Sequence, residues 1–231
     1  SVSEIDLPDD LAALDADIAQ AHPGDRKASG EQGFKLLTAA ELMQRPPLRW
    51  RVRGVLPEQG LAAVFGPSGS GKSFLVLDLA MSVAAGREWF GHRVNAAPVT
   101  YCAFEGEAGV AGRVSAYRAI HGEIHGGVRF LLEPLSLLNP VDVDALGRAI
   151  VRAGGAGGLV ILDTLNRSAP GADENDSATM GGIIEAVKRL QATIGGLVLL
   201  VHHSGKDSTK GLRGHSSLHA ALDAAIEVRR H

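Results

Sequence analysis

Residues 61–78 read LAAVFGPSGSGKSFLVLD, an apolar run, a glycine-rich turn and a second apolar run in direct succession. The first run, Leu61 to Phe65, has the length of a strand; the second opens at Lys72, continues to Ala85 and has the length of a helix. Between them, Gly66-Pro67-Ser68-Gly69-Ser70-Gly71-Lys72-Ser73 matches G-x4-G-K-[ST] in the strand-to-helix setting which that pattern requires. Glycines let successive backbone N–H groups turn inward around a phosphate, and the helix N-terminus adds positive potential there. Lys72 then reaches the β- and γ-phosphates as a point charge, and the Ser73 hydroxyl is placed to ligate Mg²⁺. In a chain with 29 Gly, composition alone would produce about 0.008 such matches by accident, so an empty glycine-rich turn is the weaker explanation. A dinucleotide-binding turn is weaker still, because the third glycine of G-x-G-x-x-G is missing.

Outward from this turn, short apolar runs alternate with longer helical ones. Val99 to Phe104 precedes Gly109 to His121; Val128 to Leu132 precedes Val141 to Arg152; Leu159 to Asp163 precedes Asp176 to Ile194; Leu197 to His202 and Ala224 to Val228 follow. The alternation predicts βαβ units, hence an α/β fold with a mainly parallel sheet flanked by helices on both faces. Upstream, Thr38 to Gln44 reads as a short helix stopped by Pro46-Pro47. Residues 1–35 are polar and Ala-rich and read as an N-terminal arm, with a short helix from about Pro8 to Ala21; 36–231 reads as one domain. The chain stops just after the last strand signal, which leads us to expect a C-terminal truncation.

Composition bounds the function classes. With 45% hydrophobic residues in 231, the chain buries a core without disulfides or a structural metal. A formal charge of -3 excludes a wholesale polyanion binder, so any nucleic-acid contact is local. Aromatic residues at 4% disfavour stacking platforms of the OB-fold or RRM kind. The single Cys102 excludes a disulfide framework and a Cys-based zinc site, and it suits a reducing compartment. No apolar run approaches the roughly 18 residues that span a bilayer, and no signal-peptide pattern opens the chain. The expectation is a cytoplasmic protein with no membrane partner.

The strand ends carry the chemistry. In doubly wound sheets, ligands sit outside the carboxyl ends of the strands. Asp163 ends the run Val160-Ile161-Leu162 and is placed to face the metal held by Ser73; its alternative is a cap on the turn that follows. Glu105 ends Tyr101-Cys102-Ala103-Phe104 and is placed to deprotonate water attacking the γ-phosphate. Glu107 sits past a glycine and better suits the next helix N-terminus. His202 and His203 end a third run, where one of them is placed to contact a γ-phosphate oxygen; satisfaction by backbone carbonyls is the rival reading. Arg213, in the basic loop 206–214, is placed to act across a subunit boundary as an arginine finger, against the rival of a solvated turn. The pairs His121/His125 and His215/His219 have ligand-like spacing but lack H-E-x-x-H. Asp173, Glu174 and Asp176 are read as capping the helix after them.

Taken together, GPSGSGKSF, YCAFEGE followed by Arg113, LVILDTLNRS with GADENDSA, LVHHSGKD and KGLRGHSSLHAALDAAIEV resemble, in this order, the RecA-like ATPases. Within these, the chain is similar to AAA-family proteins related to plasmid and phage RepA-type hexameric helicases. The resemblance implies a RecA-like P-loop core that binds ATP and Mg²⁺ through Gly66 to Phe74 and Asp163. It also implies Glu105 as the catalytic glutamate, His202 and His203 at the phosphate-sensing position, and Arg213 as the intersubunit arginine. A homo-oligomeric ring, expected to be a hexamer, would present the loops 167–178 and 204–214, with Lys206 and Lys210, to single-stranded DNA. The rival functions are a RecA- or RadA-like recombination or repair ATPase and a nucleotide-gated regulator that does not translocate. A small-molecule kinase ranks last, having no lid or acceptor signature.

Overall fold

The computed structural model describes residues 36–122, 127–170, 176–203 and 216–229. The helix expected at Pro8 to Ala21, His125, and the loop with Lys206, Lys210, Arg213 and His215 lie outside the described residues. The chain divides between Pro46 and Pro47. On the N-terminal side, α1 (Ala39–Met43) is held by a capping box: Thr38 Oγ1 accepts from the Glu41 N–H, and the Glu41 carboxylate accepts from the Thr38 N–H.

From Pro47 onward a six-stranded parallel sheet has the order β5-β4-β6-β7-β3-β8. Its strands are β3 (Gly60–Gly66), β4 (Val99–Ala103), β5 (Val128–Leu131), β6 (Leu159–Asp163), β7 (Leu197–His203) and β8 (Ala224–Glu227). All five residues of β6 and the first six of β7 are buried, the continuous apolar reading expected of strands covered on both faces. Period-two alternation divides the core in two. Leu197, Leu199 and Val201 pack with α2 (Lys72–Ala85), while Val198 and Leu200 pack with α4 (Pro140–Arg152) and α6 (Ser177–Ile194). Asp176 caps α6 by accepting from the Thr179 N–H at 2.7 Å.

Close backbone approach is needed where β7 begins. A Cβ on Gly196 would lie 2.1 Å from the Gly158 carbonyl oxygen, so only glycine fits. Elsewhere the expected element bounds shift by a residue or two, and one shift matters for chemistry: β7 runs on to His203, one residue past its expected end.

Four elements were not expected. Two are β1 (Trp50–Val52) and β2 (Leu56–Pro57), a short antiparallel pair. Its buried Arg51 donates to the carbonyls of Asn95 and Gly157. The others are α5 (Leu165–Ser168) and α7 (Ser216–Ala221). A 3₁₀ turn, Glu107–Gly109, leads into α3 (Val110–His121). Among the described residues, no helix is long and apolar enough to cross a membrane.

Candidate functional site

The turn between β3 and α2 is shaped by glycine. Gly69 and Gly71 hold φ of 73° and 90°, and a Cβ on Gly66 would stand 2.2 Å from the Val228 carbonyl oxygen. Gly71 caps α2 without a side chain, so no side chain competes for the first N–H groups of the helix. These groups open onto a cleft of about 470 Å³, whose wall includes Ser68, Gly69, Ser73 and the exposed ring of Phe74. Ser70 Oγ is buried within the turn and has no partner.

Lys72 is almost wholly buried, at 4% exposure. Its ammonium donates to the carbonyls of Gly66 at 2.9 Å and Pro67 at 2.8 Å, and it lies 3.2 Å from His203 Nδ1. An ammonium has only protons to give, so Nδ1 is the acceptor in this contact, and the other ring nitrogen is Nε2. That nitrogen is 3.7 Å from Glu105 Oε2. Burial pulls the Lys72 pKa below the usual lysine range, and the negative charges of Asp163 and Glu105 oppose the shift. A phosphate in the cleft would supply the compensating charge that two carbonyl dipoles provide only in part.

Three strand ends meet this turn because β3 lies beside β7, β7 beside β6, and β6 beside β4. Glu105, two residues past β4, is half exposed on the cleft wall, where its Oε2 accepts from Thr164 Oγ1 at 3.2 Å. Asp163, the last residue of β6, is 1% exposed. Its Oδ2 accepts a 2.6 Å bond from Tyr101 Oη, while Oδ1 is buried with no partner. A buried carboxylate oxygen without a partner carries a desolvation cost that a hard cation would offset, and the Ser73 hydroxyl in the cleft adds a second oxygen donor. This donor set fits Mg²⁺.

The histidine pair divides by strand alternation. His203 faces the P-loop and lines the cleft; His202 points to the opposite face, buried on the side of Val198 and Leu200. His203 therefore lines the cleft, whereas His202, expected beside it at the phosphate-sensing position, lies on the other face of the strand. His121 stacks on Tyr117 at 4.3 Å, and no group of three metal-ligating side chains occurs among the described residues.

Three groups near these acids lie in or beside the quoted motifs but carried no expected role. Thr164 directly follows Asp163, and Tyr101 precedes Glu105 by four residues. Arg113, on α3, lines the cleft and donates to the Gly106 carbonyl at 3.0 Å, tying down the turn that carries Glu105. The Tyr101–Asp163 and Thr164–Glu105 contacts depend on which strands are neighbours, whereas Arg113 meets the Gly106 carbonyl within its own segment.

Comparison with curated proteins finds no match. The crystal structure of a KaiC-like protein from the hyperthermophilic archaeon Pyrococcus horikoshii is similar in fold, with a TM-score of 0.51 and 15% identity. The similarity covers 78% of this chain and 81% of that one. The sequence pattern of the AAA domain matches residues 29–209, which take in the phosphate turn, Glu105, Asp163 and His203. With a RecA- and KaiC-like P-loop core and a match over most of its length, the chain belongs to the AAA domain family of P-loop ATPases.

Proposed function

We propose that the chain hydrolyses ATP within a homo-oligomeric ring and couples turnover to binding of, or movement on, single-stranded DNA. The observation that carries the hydrolytic part is the convergence of Lys72, Glu105, Thr164 and His203 on one cleft, with Asp163 Oδ1 unpartnered at the end of β6. The coupling part rests on the ordered motifs that resemble RepA-type helicases.

When bound, Mg²⁺ supplies positive charge to the β- and γ-phosphate oxygens; Ser73 Oγ and Asp163 Oδ1 would hold it. Backbone N–H groups from Ser68 to Ser73 cradle the phosphates, and Phe74 borders them at the mouth of the cleft. Lys72 exchanges its two carbonyl partners for phosphate oxygens, so its burial becomes compensated. Glu105 accepts the proton of the attacking water, with Thr164 holding one carboxylate oxygen. His203, released by Lys72, carries the change at the γ-position into β7 and the loop after it. Arg213 from a neighbouring subunit completes charge neutralisation, a role worth about 10³- to 10⁵-fold in turnover where it occurs.

The test is ATP hydrolysis with and without single-stranded DNA, at low and moderate salt. Glu105→Gln should lose at least about 100-fold in turnover while still binding nucleotide. DNA should stimulate the wild type, salt should weaken the stimulation, and Arg213→Ala should abolish it. Undiminished hydrolysis by Glu105→Gln would refute its role as base. Turnover indifferent to DNA and to Arg213→Ala would refute the ring motor and favour a nucleotide-gated regulator.

A further inference from the structure

The two oxygens of the Asp163 carboxylate stand in unequal surroundings, and one side chain makes the difference. We propose that Tyr101 is a positioning residue for Asp163: by occupying Oδ2, it leaves Oδ1 as the single oxygen offered to a divalent cation beside the nucleotide. This rests on the reading of Asp163 as a metal ligand.

The sheet register produces the pair. β4 and β6 run parallel with Tyr101 opposite Ile161 and Ala103 opposite Asp163, so Tyr101 and Asp163 are diagonal neighbours on one face. The phenol reaches across that diagonal and donates at 2.6 Å. On its other side the Tyr101 ring lies against Phe130 of β5, with centroids 5.7 Å apart, so the ring is held between two strands. Tyr101 is 2% exposed and Asp163 1%, so water does not replace the bond. A phenol carries one proton and serves one oxygen only.

This matters for the choice of cation. Mg²⁺ demands near-octahedral geometry at short distance, which a carboxylate meets with one oxygen; Ca²⁺ accepts longer, often bidentate carboxylates. A carboxylate free to turn offers one oxygen or both. With Oδ2 held, Asp163 presents only the mode that suits the smaller ion. Tyr101 thus bears on both the affinity for Mg²⁺-like cations and their discrimination from Ca²⁺.

Mn²⁺ is the probe, read by electron paramagnetic resonance in the presence of ADP. Tyr101→Phe keeps the ring and removes only the hydroxyl. We expect Mn²⁺ affinity of the ADP complex to fall about 10- to 100-fold, the usual cost of removing a group that orients a metal ligand. Competition by Ca²⁺ should strengthen, and ADP binding in EDTA should stay at the wild-type level. Wild-type Mn²⁺ affinity and Ca²⁺ competition in Tyr101→Phe overturn the proposal. Asp163→Asn separates the two claims. If it too binds Mn²⁺ like the wild type, the metal-ligand reading fails; if it loses Mn²⁺ while Tyr101→Phe does not, only the role of Tyr101 fails. Should Tyr101→Phe not fold, Tyr117→Phe protein with tyrosine isotopically labelled at Cζ carries one labelled ring, because the chain has only two tyrosines. Its resonance should move when Mg²⁺ joins the ADP complex and stay in place when ADP binds in EDTA. A resonance indifferent to Mg²⁺ overturns the proposal.

Discussion

Glu105 owes its orientation to a neighbour that the motif pattern does not include. Thr164 Oγ1 donates to Glu105 Oε2 at 3.2 Å from a residue that is itself 3% exposed, so one carboxylate oxygen is held in place on the cleft wall. Thr164→Val keeps shape and volume and removes the donor. A hydrogen bond to a charged group is worth about 1.5–3 kcal/mol, so turnover should fall about ten-fold or more, with KM for ATP nearly unchanged. Steady-state kinetics decides this, and a raised KM at constant turnover would instead make Thr164 part of the binding surface. Arg113 acts on the same residue by another route, through the carbonyl of Gly106 rather than through the carboxylate.

At the level of elements, the two glycines that begin and interrupt secondary structure behave in opposite ways. Gly196→Ala places a methyl against the Gly158 carbonyl and should cost about 3 kcal/mol or more, enough to impair folding. Gly181, inside α6, has open space where a Cβ would go, so Gly181→Ala should stabilise by about 0.5–1 kcal/mol. Paired denaturant melts test both signs. The P-loop strand and helix, β6 and α6 were legible in the sequence because each is a long, strongly patterned segment with its own start and stop signals. The β1–β2 pair was not, since three and two residues carry no period. The choice between His202 and His203 also escaped the motif reading. It needs the register of β7 against β3, in which Phe65 faces His202 and Gly66 faces His203. Tyr101 and Asp163, 62 residues apart, meet only because β4 lies next to β6, and local pattern does not specify strand order.

Across the whole molecule, Cys102, the fourth of the five residues of β4, reports on global unfolding. It is fully buried, and burial pushes its thiol up to about 12. At pH 8 the native thiolate fraction is then about one in ten thousand, so Ellman's reagent should label only protein that has opened. The labelling midpoint in urea should coincide with the loss of helix by circular dichroism; labelling that precedes it would mean β4 opens locally. The folded pKa lies above the unfolded one, so this contribution to stability is complete below the ordinary thiol range. It is lost as pH rises toward about 12. The sheet order also bears on how the chain is made. Strand β3 is made before β4, β5 and β6, yet its two sheet neighbours are β7 and β8, which follow those three in the chain. Until residue 203 has been made, both hydrogen-bonding edges of β3 lack their native partners, and its apolar side chains lack a sheet to join. A stalled nascent chain therefore carries the complete G-x4-G-K-S sequence with nowhere to fold it, which makes it a client for chaperones before it becomes a binder of nucleotide.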